Sequence, residues 1–179
     1  MRYSKIVFTI TLAAGLLLLS IPLTAQRYQK PGVGYGASIA YNFMTEGFAG
    51  GLRARIPLAR YFYIVPEADY FPSFNEYHEF YVGAALQYDL FSIGSFNFYA
   101  LGAGYYNNWL NADDFAPGQK KENNFAPEAG GGMVRNKGCI RPFIEDRYDF
   151  KWEENHLHIG IYWYPGACNK QEKCPGVDP

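Results

Sequence analysis

The residues of this sequence best suited to chemistry are charged side chains. They occupy every second position of short segments in which apolar and polar residues alternate. In a β-strand, residues of one parity share a face. Five of these side chains are cationic and five anionic: Arg53, Arg55, Arg141, Arg147 and Lys151, and Glu67, Asp69, Glu128, Glu145 and Asp149. Charges removed from water must be paired to offset their desolvation. A balanced set of this kind predicts an interior charge network with a structural role and no catalytic residues.

Three histidines and a serine are the other candidates. His156 and His158 share one strand face, a spacing that can ligate a metal, but no second pair or fixed carboxylate accompanies them. Ser73 and His78 could supply the nucleophile and the base of a lipid-modifying hydrolase or acyltransferase. One such pair is common by chance. We therefore expect a protein that is not an enzyme and that uses no metal or cofactor.

Segments of alternating hydrophobicity must position these side chains. Eight of them follow residue 25, at about 33–43, 48–56, 62–70, 80–88, 98–106, 125–133, 141–152 and 156–164. A helical period is missing from this part of the chain, so the pattern predicts an all-β protein. Each segment has roughly the 9–11 residues, or slightly more, that a tilted strand needs to cross a bilayer.

Glycine placement indicates which face of the segments lies outside. Two glycines, Gly50 and Gly131, fall on the apolar parity, and nine fall on the polar parity: Gly34, Gly36, Gly51, Gly83, Gly102, Gly104, Gly130, Gly132 and Gly160. A solvated surface has no need of glycine, which weakens strands, whereas a narrow interior that also holds Arg and Tyr side chains does. The prediction is an eight-stranded antiparallel up-and-down transmembrane β-barrel. The alternative is a soluble periplasmic barrel with its apolar face inward.

Aromatic residues near the ends of the apolar face fit the interfacial girdles of a membrane barrel. They are Tyr41, Phe43, Phe62, Tyr88, Tyr105, Trp152 and Trp163. In the fifth segment this assignment takes Tyr99, Leu101, Ala103 and Tyr105 as the outward residues.

The first 25 residues have the layout of a secretory signal peptide. Arg2 and Lys5 precede an apolar stretch of 14 residues, which is shorter than the roughly 20 that a spanning helix needs. We expect cleavage after Ala25, a barrel over residues 26–164 and a periplasmic tail over 165–179. The formal net charge of -1 argues against a nucleic-acid partner.

Export brings the three cysteines into an oxidising compartment, where two of them can pair. Cys168 and Cys174 would close a short loop within the tail, whereas a bond from Cys139 to either of them would tie the tail to the barrel. The sequence leaves the choice open.

Several features together resemble the small outer-membrane β-barrel proteins of the OmpX and OmpA-transmembrane type. They are the signal peptide, the eight segments, the strand RPFIEDRYDF at 141–150 and the aromatic finish IGIYWY at 159–164. The resemblance covers about residues 32–164 and implies a location in the outer membrane of a Gram-negative cell envelope, with membrane lipid as the surroundings. It also implies that both chain ends are periplasmic, which places the long third loop, 109–124, outside. This chain differs in continuing past the last strand.

Asp146 falls on the lipid-facing parity, where a charge is costly. Either a bulge turns it inward or a neighbouring protein covers this wall. The leading hypothesis is a structural or accessory subunit that docks a larger envelope or secretion assembly through the wall at Asp146 and through its tail. The alternatives are a surface adhesion or ligand-binding barrel that uses the third loop, and an outer-membrane lipid-modifying enzyme.

Overall fold

Eight antiparallel strands close into a barrel in this computed structural model, which describes residues 32–72, 78–109 and 124–168. The strands are β1 (Gly34–Asn42), β2 (Gly47–Pro57), β3 (Phe62–Phe71), β4 (Glu79–Ile93), β5 (Phe96–Trp109), β6 (Asn124–Arg135), β7 (Ile140–Asp149) and β8 (Glu154–Trp163). One helical turn, α1 (Pro165–Cys168), follows β8. The predicted signal peptide, most of the third loop and the tail after residue 168 lie outside the described residues.

Each strand pairs with its neighbours in sequence, and closure comes from the pairing of β1 with β8. In that seam Ile39 lies opposite Ile159 and Tyr35 opposite Trp163. Closure leaves no unpaired sheet edge, which is the condition that a sheet must meet to cross lipid. Among the residues that the structure describes, no helix is long and apolar enough to span a membrane.

The barrel is apolar outside and polar inside. Leu52 and Ile39 expose 71% and 62% of their surface, whereas Arg147 and Glu145 expose 1% and 0%. This is the arrangement of a membrane barrel, since a soluble barrel turns its apolar face toward a core. The predicted transmembrane barrel is therefore confirmed, and the soluble alternative is wrong.

Strand β5 is the exception to the predicted sidedness. Tyr99, Leu101 and Tyr105 are buried inside the barrel, while Ala100 and Gly102 face outward. The reason is chemical: the Tyr99 and Tyr105 hydroxyls hydrogen-bond to interior carboxylates. Both parities of this strand are uncharged, so alternation alone could not distinguish them. Gly102 and Gly104 thus belong to the outer surface, and Tyr105 is not a girdle residue.

Two predicted boundaries also differ. Strand β7 ends at Asp149, so Lys151 and Trp152 lie in the turn before β8 and not on a strand. The fourth segment, predicted to end near residue 88, is longer: β4 continues to Ile93 with a register shift between Asp89 and Phe91. The chain then reverses at Gly94, whose φ of 60° is readily adopted by glycine.

Candidate functional site

The centre of the barrel interior holds two guanidinium groups and two carboxylates that pair with one another. Arg53 Nη1 donates to Glu145 Oε2 at 2.9 Å, and Arg53 Nη2 lies 3.0 Å from Glu67 Oε2. Arg147 pairs with the same two carboxylates. Every cation therefore contacts both anions, and the set carries no net charge. We call Arg53, Glu67, Glu145 and Arg147 the central quartet.

Sheet closure makes this quartet possible. Arg53 and Glu67 are register partners on the adjacent strands β2 and β3, whereas Glu145 and Arg147 lie on β7, which pairs with neither of those strands. The ion pairs consequently cross the lumen. All four side chains are almost completely buried. Burying any one of these charges without its partners would cost much free energy.

Neutral groups that the sequence argument missed extend the quartet. Tyr99 Oη and Gln87 Nε2 donate to Glu145 Oε1 at 2.7 and 2.9 Å, and Tyr105 Oη donates to Glu67. Arg55 continues the chain of contacts by donating to Gln87 Oε1 at 2.8 Å and to Asp89 Oδ1 at 2.6 Å. Gln87 and the tyrosines carry no charge at neutral pH, so the pattern of charged residues in the sequence does not include them.

The two histidines of β8 lie inside the barrel, at the end where β8 begins. Arg53 Nη2 donates to His158 Nδ1 at 2.9 Å, which fixes that nitrogen as an acceptor because a guanidinium only donates. His156 Nε2 lies 3.2 Å from Glu154 Oε1, and its Nδ1 lies 3.5 Å from Glu128 Oε1. Across the described ranges, no cluster of three His, Cys, Asp or Glu residues is arranged to hold a metal ion.

Among the other predicted network residues, Glu128 reaches the edge of the quartet, with its Oε2 3.6 Å from Arg147 Nη1. Asp69, Asp149 and Lys151 form no ion pair with the quartet within the described residues. Asp69 is buried, and its Oδ1 has no hydrogen-bond partner in the described part of the chain. Asp149 caps the turn after β7 by accepting from the backbone N–H of Lys151 at 2.7 Å. Lys151 itself is exposed, so it is not part of the buried interior; its Nζ donates to Asn124 Oδ1 at 2.6 Å.

Arg141 lies at the opposite end, with its guanidinium 4.1 Å from the Tyr164 ring centre. Cys139 precedes β7, and Cys168 ends α1. Cys174 lies outside the described residues. Of the candidate hydrolase pair, Ser73 also lies outside them, and His78 Nδ1 is 2.7 Å from Tyr70 Oη.

Asp146 faces outward on a regular strand. It pairs with Gly131 of β6 and with Leu157 of β8, and the register of β7 is unbroken on both sides. Of the two explanations offered for Asp146, the one in which a bulge turns it inward is therefore wrong. Its side chain is exposed, and within residues 32–72, 78–109 and 124–168 no cation or hydrogen-bond donor pairs with it.

The outer surface next to Asp146 is built from small residues. Ala100 pairs with Gly131, and Gly102 pairs with Ala129; all four face outward. We call these four residues together with Asp146 the Asp146 wall. It runs across β5, β6 and β7, and a Cβ added at Gly102 would meet nothing within 4 Å. The wall is thus a patch of small residues with one carboxylate at its edge.

Solved membrane barrels share the architecture of this chain. The N-terminal β-barrel domain of OprF from Pseudomonas aeruginosa superposes with a TM-score of 0.57 at 12% identity, over 73% of this chain and 95% of that one. Neisserial surface protein A (NspA) gives a TM-score of 0.51 at 12% identity, over 74% and 95%. A transmembrane β-barrel obtained by de novo design gives 0.55 at 17% identity, over 76% and 98%.

Sequence comparison adds no closer relative, since no protein-family model and no curated protein matches the chain. Identities this low establish a shared fold and leave the activity open. The closed antiparallel barrel agrees with the three superpositions. The chain is an eight-stranded, up-and-down transmembrane β-barrel with the fold of the small outer-membrane barrel proteins.

Proposed function

We propose that this protein is a non-enzymatic accessory subunit of the outer membrane, which docks a larger envelope assembly through the Asp146 wall. The observation that carries the proposal is the exposed carboxylate of Asp146 on a regular lipid-facing strand, which has no partner among the residues that the structure describes. Ionisable groups in the membrane are costly and usually have a partner. The polar tail, predicted to end in the periplasm, would supply a second contact.

The position of Asp146 along β7 supports this proposal. Tyr148 and Phe150 continue the outward face beyond it toward the turn into β8, with their rings 5.3 Å apart. Aromatic pairs of this kind mark the membrane interface. Ile144 lies on the other side of Asp146 on the same face. The carboxylate therefore sits on the hydrocarbon side of the aromatic girdle, where water does not solvate it well.

The chemistry of the wall defines the partner. A carboxylate in lipid is best compensated by a Lys or Arg side chain, and small residues allow a second backbone to approach closely. A second copy of this chain is a poor occupant, because a two-fold contact would place two Asp146 side chains against each other. The expected partner is a different membrane-embedded polypeptide with a cation at the matching depth.

Recovery of a partner from detergent extracts tests the proposal. The tagged protein should co-purify with a stoichiometric partner, and Asp146→Asn, which keeps the side-chain shape and removes the charge, should lower the recovery at least severalfold. Glu46→Gln removes an exposed charge in the β1–β2 turn, away from the wall, and should leave recovery unchanged. Isolation of the wild-type protein only as a lone monomer would contradict the proposal.

A further inference from the structure

The barrel brings two of the three cysteines together at the end where the chain leaves β8. Cys139 is the last residue before β7, and Trp163 of β8 pairs with Ile140. The ladder continues for one more residue, because the Tyr164 N–H donates to the Cys139 carbonyl at 2.8 Å. α1 begins directly after Tyr164, so its single turn starts beside Cys139.

Both cysteines lie against Tyr164. Cys168 Sγ folds back toward Tyr164, 3.6 Å from its carbonyl oxygen. The Cys139 thiol hydrogen-bonds to Cys168, and this contact raises the pKa of the Cys139 thiol. Cys168 is exposed and Cys139 is half-buried, so a dissolved oxidant can reach the pair.

We propose that Cys139 and Cys168 are joined by a disulfide in the mature protein and that Cys174 is left as the free thiol. This inference rests on the predicted periplasmic position of the barrel end and is independent of the docking proposal. Of the three pairings that the sequence allowed, this is the one that the fold favours, because Cys139 and Cys168 both lie against Tyr164 at the same end of the barrel.

The oxidant is the disulfide of a periplasmic thiol–disulfide oxidoreductase. The Cys168 thiolate attacks one sulfur of that disulfide and displaces the other as a thiolate, which forms a mixed disulfide. The Cys139 thiolate then attacks the Cys168 sulfur and displaces the remaining donor sulfur. One sulfur–sulfur bond forms in the barrel and one breaks in the donor, which takes up two electrons and the two thiol protons.

The bond would stabilise the packing of Tyr164 at this end of the barrel. The Tyr164 ring packs where Gly34 has no side chain, since a Cβ on Gly34 would overlap that ring. Arg141 covers the ring from β7, and Ala167 of α1 packs against the buried cluster that contains Tyr164. A disulfide at Cys168 would fix the position of α1 and thereby hold the Tyr164 ring between Gly34 and Arg141. It would also fix the point from which the tail leaves the barrel.

Thiol counting on the full mature chain tests the pairing. Membranes are denatured directly into a maleimide-polyethylene glycol reagent, with and without prior reduction, and band shifts count the free thiols. The wild-type protein should take one tag before reduction and three after it. Cys174→Ser should take none before reduction and two after it. If Cys174→Ser takes two tags without reduction, or the wild type takes three, the proposal is overturned.

A second measurement needs no variant. Trypsin separates the three cysteines into the peptides 138–147, 152–170 and 174–179, because the Arg141–Pro142 bond resists cleavage. Mass spectrometry of the unreduced digest should show 138–147 linked to 152–170, with 174–179 unlinked. A link from 174–179 to either of the other two peptides would overturn the assignment.

Discussion

Arg53 on β2 and Glu145 on β7 join two non-neighbouring strands of the barrel through a 2.9 Å hydrogen bond from Nη1 to Oε2. Their shared partners, Glu67 and Arg147, complete a neutral set in which each ion contacts both ions of opposite sign. Complete pairing accounts for four buried charges without any catalytic role.

The neutrality of the quartet can be tested by removing one charge and then a second. Glu145→Gln removes one of the two carboxylates of the quartet and should lower the free energy of unfolding by about 3–5 kcal/mol, the range for breaking a buried pair. Arg53→Met combined with Glu145→Gln leaves the Arg147–Glu67 pair balanced. The double variant should therefore lose less free energy of unfolding than Glu145→Gln alone. Urea titration in detergent, followed by heat-modifiable gel migration, measures both. A double variant that is less stable than the single one would show that the charges act independently.

Close strand approach at Gly130 gives a second prediction. A Cβ on Gly130 would run into the backbone carbonyl of Asp146 on β7, whereas a Cβ on Gly50 would meet nothing within 4 Å. Gly130→Ala should therefore destabilise the barrel by roughly 1–3 kcal/mol, as overpacking does. Gly50→Ala should be neutral or stabilise it by roughly 0.4–1 kcal/mol, because alanine restricts the unfolded chain. The midpoint of thermal unfolding in detergent distinguishes the two, and equal midpoints would contradict the register between β6 and β7.

Steric blocking of the Asp146 wall gives a third prediction. Gly102 and Gly50 both face outward into open space, on β5 and β2, so a leucine at either position should leave the barrel folded. Gly102→Leu places a large side chain on the wall beside Ala129 and should reduce partner recovery at least severalfold, while Gly50→Leu on another face of the barrel should not. Quantitative pull-down measures the recovery, and a compact heat-modifiable band confirms folding. Equal recovery with both variants would exclude the wall as the docking surface.

The third loop separates the docking proposal from the adhesion alternative. β5 ends at Trp109 and β6 begins at Asn124, so replacing residues 110–122 by a short turn keeps both strands. We expect this variant to fold and to retain its partner, because the proposed contact lies on the wall. Gel migration and pull-down provide the readouts. Loss of the partner on loop replacement would favour a function carried by the loop.

The sequence alone determined the number of strands and the sidedness of seven of them. Wherever a strand carries charges on one parity, as Arg53 and Arg55 do in β2, the period of two leaves only one face that can enter the lumen. Strand β5 has no such charge, and Tyr99 and Tyr105 fit either the girdle or the interior by composition. Their direction was decided by the carboxylates that other strands bring within reach of their hydroxyls.

Only the tertiary structure decided which residues meet. The sequence contains Arg53 and Glu145 as separate charges 92 positions apart, and it is barrel closure that brings them into contact. The register of β7 with β6 and β8 also shows that Asp146 lies on an unbroken strand, and the pairing of β7 with β8 brings Cys139 next to the start of α1. Alternation is a local property that determines on which face of a strand each side chain lies. Contact between distant strands depends on the register and closure of the whole sheet.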